Sequence, residues 1–401
     1  MKLASSGKKK KVIIVAVLVL CVVVCIAGVI FVSGKTSAPK KLQAKVTSEK
    51  TTLQTIRLIA SGDQLTHDAV NKNAKTDTGY DYKPFFSEVK PIFDKADISF
   101  CNQEIPSASP AVGPVTGYPA FNAPATFADD LSAVGCNVIS TATNHTNDKG
   151  QAGINATQAQ WDKLPKLAIA GANRSQEEQD KVRYFTLKDV KFAFLAYNYE
   201  SNDKNLTSYG VNMFSEELMK KQLTEAKNNG AYTLVSVHWG TEDSPTIDAA
   251  QEKWSTFLAN NGADIVIGTG PHVLEPVKNL PKLGGGETLV WYSLGNMLNT
   301  QLDVGGLFNG FAVMDFKVNK KKAELEAISF LPTYMHYEWT AQEKASQNLL
   351  ARKNLKIYPL DKAAEPLARS QNNTTVEAQR ARIEKTLNTY TKVPIINSSQ
   401  Y

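Results

Sequence analysis

Five histidines occur in the 401 residues, and three of them, His145, His238 and His272, directly follow short apolar runs. Carboxylates and an amide accompany them in similar polar clusters after apolar runs: Asp63, Glu104, Asn144, Asp148 and Glu242. Imidazole and carboxylate without cysteine suit a divalent cation such as Mn, Fe or Zn. A cation held this way lowers the pKa of water and serves the hydrolysis of phosphate esters or similar bonds.

Six short motifs carry these residues: Gly62-Asp63, Asn102-Gln103-Glu104, Asn144-His145 with Asp148 and Gly150, His238-Trp239-Gly240-Thr241-Glu242, Gly268 to His272, and Ser293-Leu294-Gly295-Asn296. Each has a structural alternative. Gly-Asp is a common turn pair, Glu104 and the Asn144 segment suit helix caps, and a strand-end histidine or a Gly-Pro turn needs no ligand. Their joint occurrence, in this order, points to one assembled site.

The elements that must position them are strands. Ile56–Ala60, Asp97–Cys101, Asn137–Thr141, Phe192–Tyr197, Thr233–Val237, Ile265–Ile267 and Leu289–Tyr292 are short apolar runs of the buried-strand kind, six of them leading directly into a motif or its lead residue. Helix-like stretches lie between several: Lys83–Lys95, Ala125–Val134, Ala152–Lys163, Glu216–Asn229 and Asp248–Asn260. Alternating strands and helices predict an α/β body, with ligands gathered at the carboxyl ends of the strands. Gly310–Val318 and Ala323–Leu331, alternating around Asn319-Lys320-Lys321, predict a closing hairpin. Cys101 and Cys136, the two cysteines of the body, are expected as small buried residues without a bond between them.

With these motifs in this order, from about Ile56 to Asn299, the chain resembles the CapA family of poly-gamma-glutamate capsule biosynthesis proteins, which have a metallophosphatase-like fold. The resemblance implies an α/β class protein, a calcineurin-like α/β/β/α sandwich; the sequence before it predicts, separately, one N-terminal transmembrane helix. It implies Asp63, Glu104, Asn144, His238 and His272 as metal ligands. His145 would contact the substrate oxyanion and protonate the leaving group, oriented by Asp148; Asn102, Glu242 and Asn296 would touch substrate or support the ligands. Two imidazoles of related proteins are absent. Gly270 stands where many relatives have histidine, and Leu65 where phosphoesterases at large have one. The expected complement is therefore one or two divalent ions, with His67 or Asp68 as candidates to compensate.

Charge is divided unevenly. Residues 1–50 contain ten Lys and one Glu, or +9, so a whole-chain charge of +6 leaves 6 − 9 = −3 for the remainder. A mildly acidic body argues against nucleic acid as a partner. Val12 to Val32 is 21 residues without a charge, enough to span a bilayer as a helix. Lys8–Lys11 before it predict a cytoplasmic N-terminus and an external body. The alternative, a long cleaved signal peptide, exports the body equally.

The expected organisation is a basic tail (1–11), a transmembrane signal anchor (12–32), a juxtamembrane linker (33–52), the CapA-like domain (53–335) and a helical or partly disordered extension (336–401) in which His336 is structural. Three functions compete: an external metal-dependent hydrolase of the phosphoesterase type, a role in assembling a capsule or other anionic surface polymer beside a polyglutamate synthase complex, and a catalytically degenerate fold kept as a polymer-binding scaffold.

Overall fold

The computed structural model describes residues 54–401; the basic tail, the expected membrane anchor and the linker lie outside the described residues. Among the described residues no helix is long and apolar enough to cross a membrane.

Fourteen strands build two sheets. In chain order they are β1 (Gln54–Gln64), β2 (Ile98–Gln103), β3 (Val138–Ser140), β4 (Ala168–Ala170), β5 (Arg183–Leu187), β6 (Val190–Asn198) and β7 (Tyr232–His238). They continue with β8 (Ile265–Thr269), β9 (Val277–Pro281), β10 (Glu287–Trp291), β11 (Asn296–Leu298), β12 (Phe308–Asn319), β13 (Lys322–Glu338) and β14 (Lys353–Pro359). The larger sheet runs β14-β13-β12-β1-β2-β3-β4, with β11 also paired to β1. The smaller runs β9-β10-β8-β7-β6-β5. In each sheet the central strands are parallel: β1 with β2 and β2 with β3, then β6 with β7 and β7 with β8. Their carboxyl ends therefore share an edge within each sheet.

The sheets pack face to face, and the period-2 alternation of β6 shows how. Phe192, Phe194 and Ala196 join the main core, where Phe194 meets Phe100 of β2 and Phe192 meets Phe316 of β12. Ala193, Leu195 and Tyr197 face the other way, into a second cluster with Met219, Leu223 and Leu258. Those three come from helices α1 (Glu216–Asn228) and α2 (Ala249–Asn260). Met219, Leu223 and Ala226 form the apolar stripe of α1, and the buried Gln222 beside them accepts from the Tyr197 hydroxyl. Ser215 caps α1 by accepting from Leu218 N, and Asp248 with Gln251 forms a capping box on α2.

Three expectations change. Cys101 and Cys136 are joined by a disulfide, with Cα atoms 5.7 Å apart. Cys101 lies on β2, and Cys136 follows the turn at Gly135 that ends the Thr126–Val134 helix, so tertiary folding brings together residues 35 apart in sequence. Residues 336–401 are also no loose appendage: β13 runs through 335 to Glu338, and β14 adds an edge strand beside it. The Val376–Leu387 helix buries Ile383 and Leu387 in the main core. Finally, the helix expected over Lys83–Lys95 is two short pieces, Lys83–Phe86 and Lys90–Phe93, each with proline in its first turn.

Candidate metal centre

Asp63 sits near the end of β1, where the pairing with β2 shifts register after Ala60. Gly62 makes the approach of β11 possible: a Cβ there would lie 1.9 Å from Gly295 O. Asp63 N donates to that same carbonyl oxygen at 2.9 Å. Asn102, beside Asp63 on β2, donates from Nδ2 to Asp63 Oδ1 at 2.7 Å. Glu104 follows β2 and is fully buried.

The smaller sheet supplies imidazoles. His238 ends β7, and its Nδ1 is 3.0 Å from Thr269 Oγ1 on β8. Its ring is 4.0 Å from Asp63 Oδ1 and 3.8 Å from Glu104 Oε1. His272 lies beyond β8 with φ 62°, a left-handed conformation that costs a non-glycine residue strain and that recurs at functional sites. There its Nδ1 is 3.0 Å from both Asp63 Oδ2 and Asn296 Oδ1, and its Nε2 is 3.8 Å from Glu104 Oε1.

Asp63, Glu104 and His272 thus offer ligand atoms all within 4.8 Å of one another. Both carboxylate oxygens of Glu104, and Oδ1 of Asn102 and of Asn144, are buried without a hydrogen-bond partner among the described residues. Buried carboxylates require a compensating charge, so this donor set of oxygens and imidazole nitrogens fits a divalent cation. The electrostatics agree. Burial, then the charge of Asp63, push the Glu104 carboxyl well above its ordinary range. Burial would do the same to Asp63, but the His272 hydrogen bond and the nearby His238 ring outweigh it and hold the group below the usual value. Burial brings His238 down to about 4. Burial also opposes protonation of His272, yet Glu104 and Asp63 raise it to about 10.

His145 and Asp148 form a separate pair. His145 Nδ1 is 2.8 Å from Asp148 Oδ2, which also accepts from Phe121 N at 2.7 Å. The Phe121 ring meets the imidazole edge-on at 4.7 Å, and Asn202 Nδ2 lies 3.3 Å from His145 Nε2. Asn202 N donates to Asn144 O, tying this loop to the neighbouring site residue. Asn144, Asn202, His238, Glu242 and Gly270 all line one cleft of about 430 Å³. Glu242 is at its exposed edge and makes no hydrogen bond to the cluster among the described residues.

Residues 57–301 match the family described as bacterial capsule synthesis protein PGA_cap. The chain belongs to that family. The matched stretch contains all ten candidate site residues, from Asp63 to Asn296. The PGA biosynthesis protein CapA of Bacillus subtilis (strain 168) is 30% identical over 168 residues, 41% of this chain and 43% of that protein. The capsule biosynthesis protein CapA of Bacillus anthracis is 26% identical over 178 residues, 43% of this chain and 42% of that protein. The match therefore spans less than half the length of these curated relatives. Among solved structures, the calcineurin-like phosphoesterase YfkN from Bacillus subtilis aligns with a TM-score of 0.41 at 12% identity, over 82% of this chain and 99% of that one. TT1561 of Thermus thermophilus aligns with a TM-score of 0.32 at 9% identity, over 68% of this chain and 99% of that one.

Within this PGA_cap chain, neither residue named to compensate for the absent imidazoles enters the cluster. His67 Nδ1 accepts from Thr300 N at 3.3 Å, and Asp68 accepts from Gly117 N. His336 hydrogen-bonds with Glu338 and Tyr334, away from the site. Gly270 is more than a missing histidine. Its φ is 112°, its N donates to Asp63 Oδ2 at 3.3 Å, and a Cβ would lie 2.5 Å from Trp239 O. The backbone here is committed to glycine.

Sequence reasoning missed Asn202 and Phe121, whose polar or aromatic character has no distinctive local spacing, and gave Thr269 no role within its motif. It also missed Glu275, fully buried, whose Oε2 accepts from Gln251 Nε2 at 2.6 Å. Burial pushes the Glu275 carboxyl up to about 8, against the lowering effect of Gln251.

Proposed function

We propose that this PGA_cap protein is a metal-dependent hydrolase-type protein acting on an anionic surface polymer or a phosphoester connected with it. The carrying observation is Glu104, a buried carboxyl with two unpartnered oxygens set between Asp63 and two imidazoles. Asp63, Glu104 and His272 would hold the cation, with His238 and Asn144 at its margin. When bound, a divalent cation such as Mn, Fe or Zn supplies positive charge to an anionic substrate and lowers the pKa of water.

The remaining work falls to this chain's residues. Asn102 donates to Asp63 Oδ1 and fixes the carboxylate plane. Asn296 and Asp63 together set the His272 ring. With His145 doubly protonated, Nδ1–H would donate to Asp148 and Nε2–H would be the proton passed to a leaving oxygen, after which the neutral ring keeps its hydrogen on Nδ1. Glu242 and Asn202 would contact substrate from the cleft wall. The basic, apolar head favours a body anchored through residues 12–32 on the outside of the cell membrane, beside a polyglutamate synthase complex.

A second reading, a binding scaffold without turnover, is favoured by Gly270 and Leu65, which leave fewer imidazoles for a two-ion centre. One experiment separates the two: the purified protein is loaded with Mn, Fe or Zn and assayed against phosphoesters and gamma-glutamyl polymers. Metal-dependent cleavage supports the hydrolase. Polymer binding without cleavage by any loaded form supports the scaffold, and a protein that takes up no metal sinks the first reading.

A further inference from the structure

A second cleft, of about 480 Å³, is walled in part by Asp68, Thr300, Gln301 and Arg352. Gln301 connects it to the metal cluster: its Oε1 accepts from Asn296 Nδ2 at 2.7 Å, and Asn296 Oδ1 is 3.0 Å from His272 Nδ1. Arg352 is only 5% exposed. Its guanidinium donates to the backbone carbonyls of Leu349 and Thr300 and lies over the rings of Tyr337 and Trp339 at 5.3 and 5.8 Å. No carboxylate among the described residues pairs with it. A buried cation without a counter-ion is costly, and it keeps further N–H donors for an acceptor. Thr300 Oγ1, also buried, has no partner among the described residues either.

The rim has the opposite character. Tyr118, Leu302, Leu349 and Leu350, exposed by 70, 51, 43 and 48%, line this one cleft. Such a cluster of exposed apolar side chains marks a contact surface. Lys72 Nζ donates to Leu350 O at the rim, and Asp68 supplies one negative charge, so the local balance is one net positive charge. That suits a monoanion better than a doubly charged phosphate.

We infer that this cleft binds a carboxylate carried on a methylene chain, with the carboxylate on Arg352 and Thr300 Oγ1 and the methylenes on Leu302, Leu349 and Leu350. The carboxylate comes either from a free short acid or from one unit of an acidic polymer. Binding here needs neither a bound cation nor turnover, so it stands apart from the hydrolase reading.

Calorimetric titration of the full-length protein tests this with three probes: glutarate, a short gamma-linked glutamate oligomer and inorganic phosphate. At least one carboxylate probe binds, and at least tenfold more tightly than phosphate. Oligomer binding without glutarate binding identifies the polymer as the source; equal binding identifies the free acid. Arg352→Gln weakens binding at least tenfold. Leu350→Glu, at an exposed side chain, does the same while leaving the melting temperature and metal content unchanged. Failure of both carboxylates to bind overturns the inference, as does equal affinity for phosphate or unchanged affinity in both variants.

Discussion

Asp63 Oδ2 lies 3.0 Å from His272 Nδ1, joining the penultimate residue of the first strand of one sheet to a loop of the other sheet 209 residues later. Neither residue is a ligand candidate of much weight alone. Together with Glu104 they make a buried site whose charges compensate only partly, and most consequences can be measured through that imbalance.

Removing Glu104 should act on metal affinity first. Glu104→Gln keeps the shape and removes the carboxylate, so bound metal measured by elemental analysis should fall. Addition of metal at about 100 times its dissociation constant stabilises a binding protein by about 2.7 kcal/mol. Thermal melting of the wild type should rise accordingly on metal addition, and that of Glu104→Gln should stay nearly flat. An equal rise in both would remove Glu104 from the ligand set.

His145 and Asp148 should affect turnover without affecting metal content. Loss of a positioned general acid costs about 10²–10⁴-fold, so His145→Ala should lower kcat by that order on the substrate the screen identifies. Asp148→Asn, which leaves His145 in place but replaces the carboxylate beside it with a neutral amide, should cost about 10–100-fold. Unchanged turnover in His145→Ala would eliminate the proposed acid.

Gly270→His should not create a fuller metal site. A side chain at φ 112° collides with Trp239 O, 2.5 Å from the Cβ position. Strain of this kind costs on the order of 1–3 kcal/mol. The variant should melt earlier and bind no additional ion; a second ion at full occupancy would contradict this account.

Glu275 should give stability a pH slope. An unfolded glutamate ionises from about pH 4.3, whereas the folded carboxyl keeps its proton up to about 8. Between those values the native state binds more protons than the unfolded state. This group's contribution is therefore full at low pH and declines as pH rises, by up to about 1.4 kcal/mol per unit. Glu275→Gln should flatten the fall in melting temperature between pH 5 and 8. An identical profile in both proteins would show that Glu275 does not titrate in that window.

The Cys101–Cys136 bond closes a loop with a sequence separation of 35. Chain-entropy reasoning assigns such a loop about 3–4 kcal/mol. Paired Cys101→Ser and Cys136→Ser substitutions, followed by denaturant unfolding, should show a loss of that order.

The strands that carry the motifs were legible from their apolar runs. Ile56–Ala60, Thr233–Val237 and Ile265–Ile267 all lie inside observed strands, because strands buried on both faces must be apolar throughout. Short strands such as Ala168–Ala170 and Asn296–Leu298 escaped, since three residues hold too little pattern. The edge strand Lys353–Pro359 escaped for a different reason: Leu355 and Ile357 mark its buried face, an alternation too brief to stand out until the neighbouring β13 is in place. The disulfide escaped because its two cysteines carry no pairing information without the fold.

Sequence alone determined the alphabet of the site and its order along the chain, since oxygen and imidazole ligands placed after apolar runs are a local property. Tertiary structure decided which of them meet. Asp63, Glu104 and His272 converge while Glu242 stays at the rim, and Gly270 proves to be required by a left-handed backbone packed against Trp239. Those outcomes depend on how two sheets stack, and stacking is set by contacts such as Phe100–Phe194 and Phe192–Phe316 between residues far apart in sequence.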